Sequence, residues 1–131
     1  MIGLDTNVLV RYLVEDDPRQ SAEAAKVMEG AVESGQQLFI SQIVLCELVW
    51  VLAYAYALSR REVVVVLQQL RRAAQVVIES PDEVQRAIDS FERSRGDFPD
   101  FLIAERAVAY GCEVVLTFDR ALHTDPRFRK P

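Results

Sequence analysis

The sequence is poor in the residues that most often announce chemistry. It has one histidine, His123, near the end of the chain, which reads as a surface or turn residue and leaves no Ser–His–Asp triad to build. Two cysteines, Cys46 and Cys112, lie in apolar surroundings. They are too few for a disulfide framework or a zinc site and read as reduced, buried thiols. The glycines form no phosphate-cradling loop, and lysine occurs only at Lys26 and Lys130. The start of the chain lacks the basic stretch and long apolar run of a signal peptide, so a reducing cytoplasm is the expected setting. Linkers, repeats and low-complexity tracts are absent.

What is present is a soluble, globular balance. Half of the 131 residues are apolar and 27% are charged, enough for one domain, 1–131, with a sizeable core. The net charge of −5 sits in residues 1–58, while residues 59–131 balance. Binding to nucleic acid through bulk charge is therefore excluded, and such a role needs bound cations or local arginines. From Gln36 to Ser59 the only charge is Glu47. That run resembles a membrane span, but it divides into a strand, Leu38-Phe39-Ile40, and a helix starting near Ser41, and no membrane role is expected. A helix as apolar as LVWVLAYAYAL is expected to be buried on most sides, a subunit interface included.

Punctuation marks the other helices. Asp17-Pro18 starts one, with Ala22, Ala25, Met28 and Val32 as its apolar face and Gly35 as its stop. SRRE, Ser59 to Glu62, is a capping box, and SPDE, Ser80 to Glu83, reads as another. The latter opens a helix with Val84, Ile88 and Phe91 on one face, ending near Gly96. A last helix runs from about Pro99 to Tyr110, with Gly111 at its C-terminus. Between the helices lie the continuous apolar runs IGL, QLFIS, VVI and EVVLT. They predict a parallel sheet covered on both faces, a three-layer α/β/α domain with paired helices in two crossovers. Ligands gather at the C-terminal edge of such sheets.

Four acids stand where that edge is expected. Asp5 directly follows the first strand and Asp119 the last, VVLTF. Glu47 lies in the first turns of the helix after LFIS, and Asp100 in the first turn of the helix before the last strand. They meet if the first and last strands are neighbours. Each has a plainer reading: Asp5 as an N-cap, Glu47 as a buried acid paired with arginine, Asp119 as a turn residue. Asp97 with Asp100 reads as local capping. Four converging carboxylates repel, and a hard divalent cation removes the conflict. Such a site orients a water and stabilises charge on a phosphodiester.

IGLDTNVLVRYL, Glu47 within SQIVLCELVWVL, DFPDFLIAERAVAYGC and VVLTFDRAL together resemble the PIN domain, and within it the VapC-type toxins of bacterial and archaeal toxin–antitoxin pairs. The resemblance covers essentially the whole chain. It implies a three-layer PIN-like fold with a mainly parallel sheet of four to five strands, and an Mg²⁺- or Mn²⁺-dependent endoribonuclease leaving 5′-phosphate and 3′-hydroxyl ends. It puts the catalytic quartet on Asp5, Glu47, Asp100 and Asp119, with Asp5, Asp100 and Asp119 as metal ligands. Thr6, Asn7 and Thr117 match supporting polar positions, and Asp97 matches an extra acid seen in part of the family. Arg11, Arg95 and Arg120 are candidates for holding RNA phosphates. Pro99 and Phe101 depart from the small residues usual beside Asp100, where they would narrow the entrance. The resemblance also implies an RNA substrate, a VapB-type protein antitoxin and a homodimer. Two other readings remain: a catalytically silent PIN scaffold used for protein or RNA binding, and an aspartate-based phosphotransfer enzyme. The second is weakened by Asn7, where a haloacid-dehalogenase-like enzyme needs an aspartate, and by the lack of a well-placed lysine.

Overall fold

A computed structural model describes all 131 residues. The chain forms two compact units, Met1–Pro81 and Asp82–Pro131. Five strands form, and every pairing between them is parallel. Hydrogen bonding groups them as three in the first unit and two in the second.

In the first unit the order is β1 (Ile2–Gly3), α1 (Thr6–Leu13), α2 (Pro18–Ser34), β2 (Leu38–Ile40), α3 (Gln42–Tyr54), α4 (Arg60–Arg72) and β3 (Val76–Ile78). The strands lie in the order β1-β2-β3, with Ile2 opposite Leu38 and Leu38 opposite Val76. α1 packs on α2 and α3, α3 on α4, and α4 on β3. Leu9, Leu38, Ile40, Leu45, Leu48 and Leu52 are fully buried, the burial that chiefly drives such a fold.

The expected helix signals are in place. Asp17 caps α2 through the Gln20 N–H, with Pro18 at its start, and Gly35 ends it in the left-handed region at φ 72°. Ser59 and Glu62 form the capping box of α4. The buried face of α2 is Ser21, Ala24, Met28 and Ala31, one residue off the expected stripe, and Val32 is exposed. Alanines on several sides of this helix blur its apolar period, and the small Ser21 is tolerated inside. α3 is 13 residues long, and no helix is long and apolar enough to cross a membrane.

The second unit holds α5 (Pro81–Arg93), α6 (Phe98–Ala109), β4 (Val115–Leu116), a 3₁₀ turn (Arg120–Leu122) and β5 (Phe128–Arg129). Val84, Ile88 and Phe91 are buried as expected. Ser80 takes φ 48°, not the extended backbone of an ordinary N-cap. β5 supplies a fifth strand that no apolar run marks, because its residues lie in the charged stretch PRFRK. Cys112 is exposed rather than buried, and Cys46 is half-buried.

A polar network ties this unit together. Buried Glu105 on α6 accepts from Arg86 Nε on α5 and from Arg127 Nη1, both at 2.6 Å. Arg127 also donates to Asp125 at 2.7 Å and to Ser90 Oγ at 3.3 Å. Glu105→Ala removes the shared acceptor and leaves two guanidiniums that still reach water. We expect a loss of about 2 kcal/mol, below the ~3–5 of fully buried pairs, read as a lower urea midpoint at unchanged m-value.

Candidate active site: two carboxylate groups

In the first unit one threonine links two of the expected acids. Asp5 is the N-cap of α1, with extended backbone, and its Oδ1 accepts the Thr6 N–H at 2.8 Å. Thr6 is buried, and its Oγ1 donates to Glu47 Oε1 at 3.2 Å. Asp5 and Glu47 therefore converge on one residue, each with a second carboxylate oxygen that accepts from no protein group.

The plainer reading of Glu47, a buried carboxylate paired with arginine, does not hold: Glu47 is exposed and its partner is a hydroxyl. The reason is the face it occupies. Ile43, Glu47, Trp50 and Tyr54 recur at helical spacing on the outer side of α3, where Ile43, Trp50 and Tyr54 are 73%, 62% and 72% exposed. The Trp50 and Tyr54 rings lie 5.6 Å apart. The buried face of this very apolar helix is instead Gln42, Leu45, Leu48, Val49 and Leu52.

The start of α3 is doubly capped. Ser41 Oγ accepts the Val44 N–H at 3.2 Å, and Glu79, the residue after β3, accepts the Gln42 N–H at 2.9 Å. Glu79 is thus a further acid directly after a strand. Burial, and then the Glu47 charge, push the Cys46 thiol up to about 11, so it stays protonated at neutral pH. Asn7 is exposed and lines a groove of about 380 Å³ with Val8, Arg11, Gln20, Glu23, Ala24 and Val27. Arg11 is held by Gln20 at 2.6 Å and Asp16 at 3.0 Å, which occupies the guanidinium expected to meet phosphate.

In the second unit, Asp97 is the N-cap position of α6 and Asp100 its third residue. Asp100 Oδ2 accepts the Asp97 N–H at 2.9 Å, the return bond of a capping box. Asp119 follows β4 and the Thr117-Phe118 pair. Its Oδ1 accepts the Ala121 N–H at 2.9 Å, capping the 3₁₀ turn, while its own N–H donates to Thr117 Oγ1 at 3.0 Å. Phe101 is fully buried, so its ring does not stand at the surface beside Asp100.

Gly96 sets how closely these pieces approach. A Cβ there would lie 2.4 Å from Leu122 Cδ2 and 2.8 Å from Phe101 Cζ. A side chain there would push on the ends of both, one on α6 and one in the turn that Asp119 caps.

Asp100 is where the electrostatics are most unfavourable. Its carboxyl is held above the ordinary aspartate range, first by burial, and further by the charges of Asp97 and Asp119; the Asp97 N–H bond opposes the rise. Within neither unit do three or more His, Cys, Asp or Glu side chains crowd closely enough to cage an ion. The donors are carboxylate oxygens with unshared lone pairs, the hard set that suits Mg²⁺ or Mn²⁺, and Mg²⁺ keeps several waters and takes one or two carboxylates directly.

A PIN domain family model matches residues 2–125. The chain belongs to the PIN domain family. It is similar to a VapC ribonuclease of Aquifex aeolicus (strain VF5), 27% identical over 128 residues, which covers 97% of this chain and 89% of that protein. The PIN match takes in β1 through the Asp119 turn, and so every acid described above.

The raised position of Asp100 has a consequence for stability. A carboxyl that ionises less readily in the folded chain penalises folding at neutral pH, and the penalty vanishes once pH falls below the ordinary aspartate range. Asp100→Asn keeps an oxygen for the Asp97 N–H and removes the charge. We expect a higher Tm for metal-free protein at pH 7, with the gain fading on acidification. A lower Tm at pH 7 makes the cap the dominant role.

Proposed function

We propose that this PIN domain is a divalent-metal-dependent endoribonuclease, the toxin of a VapBC-type pair, with residues 1–131 working as one domain. The observation that carries the reading is Asp100, a half-buried carboxylate that caps with one oxygen and keeps the other free under the charges of Asp97 and Asp119. Such an arrangement is costly for a structural cap and useful for holding a cation. The family match and the VapC ribonuclease relative support the same reading.

In this proposal Asp5, Asp100 and Asp119 would hold Mg²⁺ or Mn²⁺, directly or through water, and Glu47 would complete the catalytic quartet. The ion would neutralise these carboxylates and supply Lewis-acid stabilisation to the phosphodiester. Glu47, with Oε1 held by the Thr6 hydroxyl, takes a proton at Oε2 from the attacking water. The new bond joins the water oxygen to phosphorus and the bond to the 3′ oxygen breaks. That oxygen takes a proton from solvent water and leaves as a hydroxyl, and a 5′-phosphate stays on the other fragment. Thr6 aligns Asp5 with Glu47, Thr117 fixes the Asp119 turn, Asn7 lies beside Asp5 in sequence, and Asp97 adds negative charge at Asp100.

The partners proposed are an RNA substrate, a VapB-type protein antitoxin and a second copy of the chain. The α3 face of Ile43, Trp50 and Tyr54 supports the dimer, because three large apolar side chains on one helix face are expensive to leave in water.

End-labelled RNA incubated with Mn²⁺ tests the activity. Asp5→Asn and Asp100→Asn, one from each acidic group, are each expected to lower cleavage by about 10²-fold or more while circular dichroism shows a folded chain. Wild-type protein that cuts no RNA at any metal concentration favours the silent scaffold. Light scattering at micromolar concentration is expected to give a dimer that Trp50→Ser shifts to monomer; a wild-type monomer removes the interface.

A further inference from the structure

We propose that Phe118 is a stacking platform for a nucleobase of single-stranded RNA, flanked by phosphate-binding cations Arg120, Arg129 and Lys130. The inference rests on the ribonuclease reading and gives it a substrate-binding surface.

β4 and β5 run parallel, so the chain leaves both at one edge. Leu116 lies opposite Arg129, and the Thr117 N–H donates to the Arg129 carbonyl at 3.0 Å. After β4 come Thr117, Phe118, Asp119 and Arg120; after β5 comes Lys130. An aromatic ring, the carboxylate of Asp119 and three cations therefore share a small region.

Phe118 is 83% exposed. The other phenylalanines behave differently: Phe91, Phe98, Phe101 and Phe128 are buried and Phe39 is half-buried. A ring this exposed forfeits the burial that holds the others in place. It is not exposed through slack backbone. On one side the Thr117 carbonyl accepts from His123 Nε2–H at 2.9 Å. Across the ring's own residue, the Asp119 N–H donates to Thr117 Oγ1 at 3.0 Å, and Asp119 Oδ1 takes the Ala121 N–H at 2.9 Å. The turn is pinned on both sides, so little ordering entropy remains to be lost when a flat ligand settles on the ring.

The cations point to the same ligand. Arg86, Arg106 and Arg127 of this unit are all paired with carboxylates. Arg120, Arg129 and Lys130 are exposed and form no ion pair or side-chain hydrogen bond. Unneutralised cations around an exposed aromatic, in a chain of net charge −5, form a local site for a polyanion with flat bases. A protein partner would match this surface less well, since the exposed residues that follow β4 and β5 include Asp119, Arg120 and Lys130 as well as the ring. Stacking tolerates any base, so the surface holds the strand next to Asp119 without dictating its sequence.

The test is fluorescence anisotropy of a fluorescein-labelled oligoadenylate RNA of about 12 nucleotides, a length within the range of single-stranded site sizes, with Ca²⁺ replacing Mg²⁺. Phe118→Ala and Phe118→Leu are each expected to weaken binding about tenfold, and Phe118→Tyr and Phe118→Trp to stay within about twofold of wild type. Arg129→Ala and Lys130→Ala should each flatten the dependence of affinity on salt. Unchanged affinity in Phe118→Ala overturns the proposal, as does Phe118→Leu binding like wild type, which would require only an apolar surface. A change of oligomeric state in Phe118→Ala with RNA affinity unchanged makes the ring a protein contact and also overturns it. The same preparations are assayed for Mn²⁺-dependent RNA cutting with an Asp5→Asn control. Cutting that the control loses, with undiminished binding by Phe118→Ala, rejects the platform and keeps the ribonuclease. A wild type that neither binds nor cuts rejects both.

Discussion

Backbone N–H groups at the start of a helix have no partner within the helix, and much of this protein answers that constraint with carboxylates. Asp5 serves α1, Asp17 serves α2, Glu79 serves α3, and Asp119 serves the 3₁₀ turn. Asp100 returns a bond to the N–H of Asp97 at the head of α6. A carboxylate has two oxygens and a cap needs one. Capping thus fixes Asp5, Asp100 and Asp119 in direction while leaving an oxygen on each for other work. Capping and chemistry, alternatives when only the sequence is read, are compatible here because they use different atoms of the same group.

Glu105 in the second unit obeys a different logic. It lies inside, between Arg86 and Arg127, and both of its oxygens are taken. It sits five residues along α6 from Asp100. The buried, fully paired carboxylate anchors the helix; the half-buried one at its head remains uncompensated. Charge on α6 is thus balanced at Glu105, within the helix, and left unbalanced at Asp100, at its head.

The apolar runs and the helix punctuation marked four of the five strands and the six helices, because buried parallel strands and capped helices leave strong local signals. β5 left none: two residues flanked by arginine, lysine and proline have no period to read. Asp5, Asp97, Asp100 and Asp119 were legible because each follows a strand or opens a helix. Glu47 was legible as an oddity, yet its exposure was not. Trp50 and Tyr54 look like core residues in sequence, and only the rotation of α3 shows that they share an outer face with Glu47. Glu79 and Glu105 were invisible, since a capping or bridging acid looks like any other until its partners, 37 or 22 residues away, are known. The polar partner of Glu47, Thr6, is 41 residues distant and equally hidden.

The missing side chain at Gly96 has a mutational consequence. Phe101 and Leu122 both fill the space that a methyl group would claim, one on the helix that carries Asp100 and the other in the turn that Asp119 caps. Any larger residue at 96 presses on both at once. Substitutions at 96, 101 and 122 are therefore expected to be non-additive, because each changes the space left to the other two.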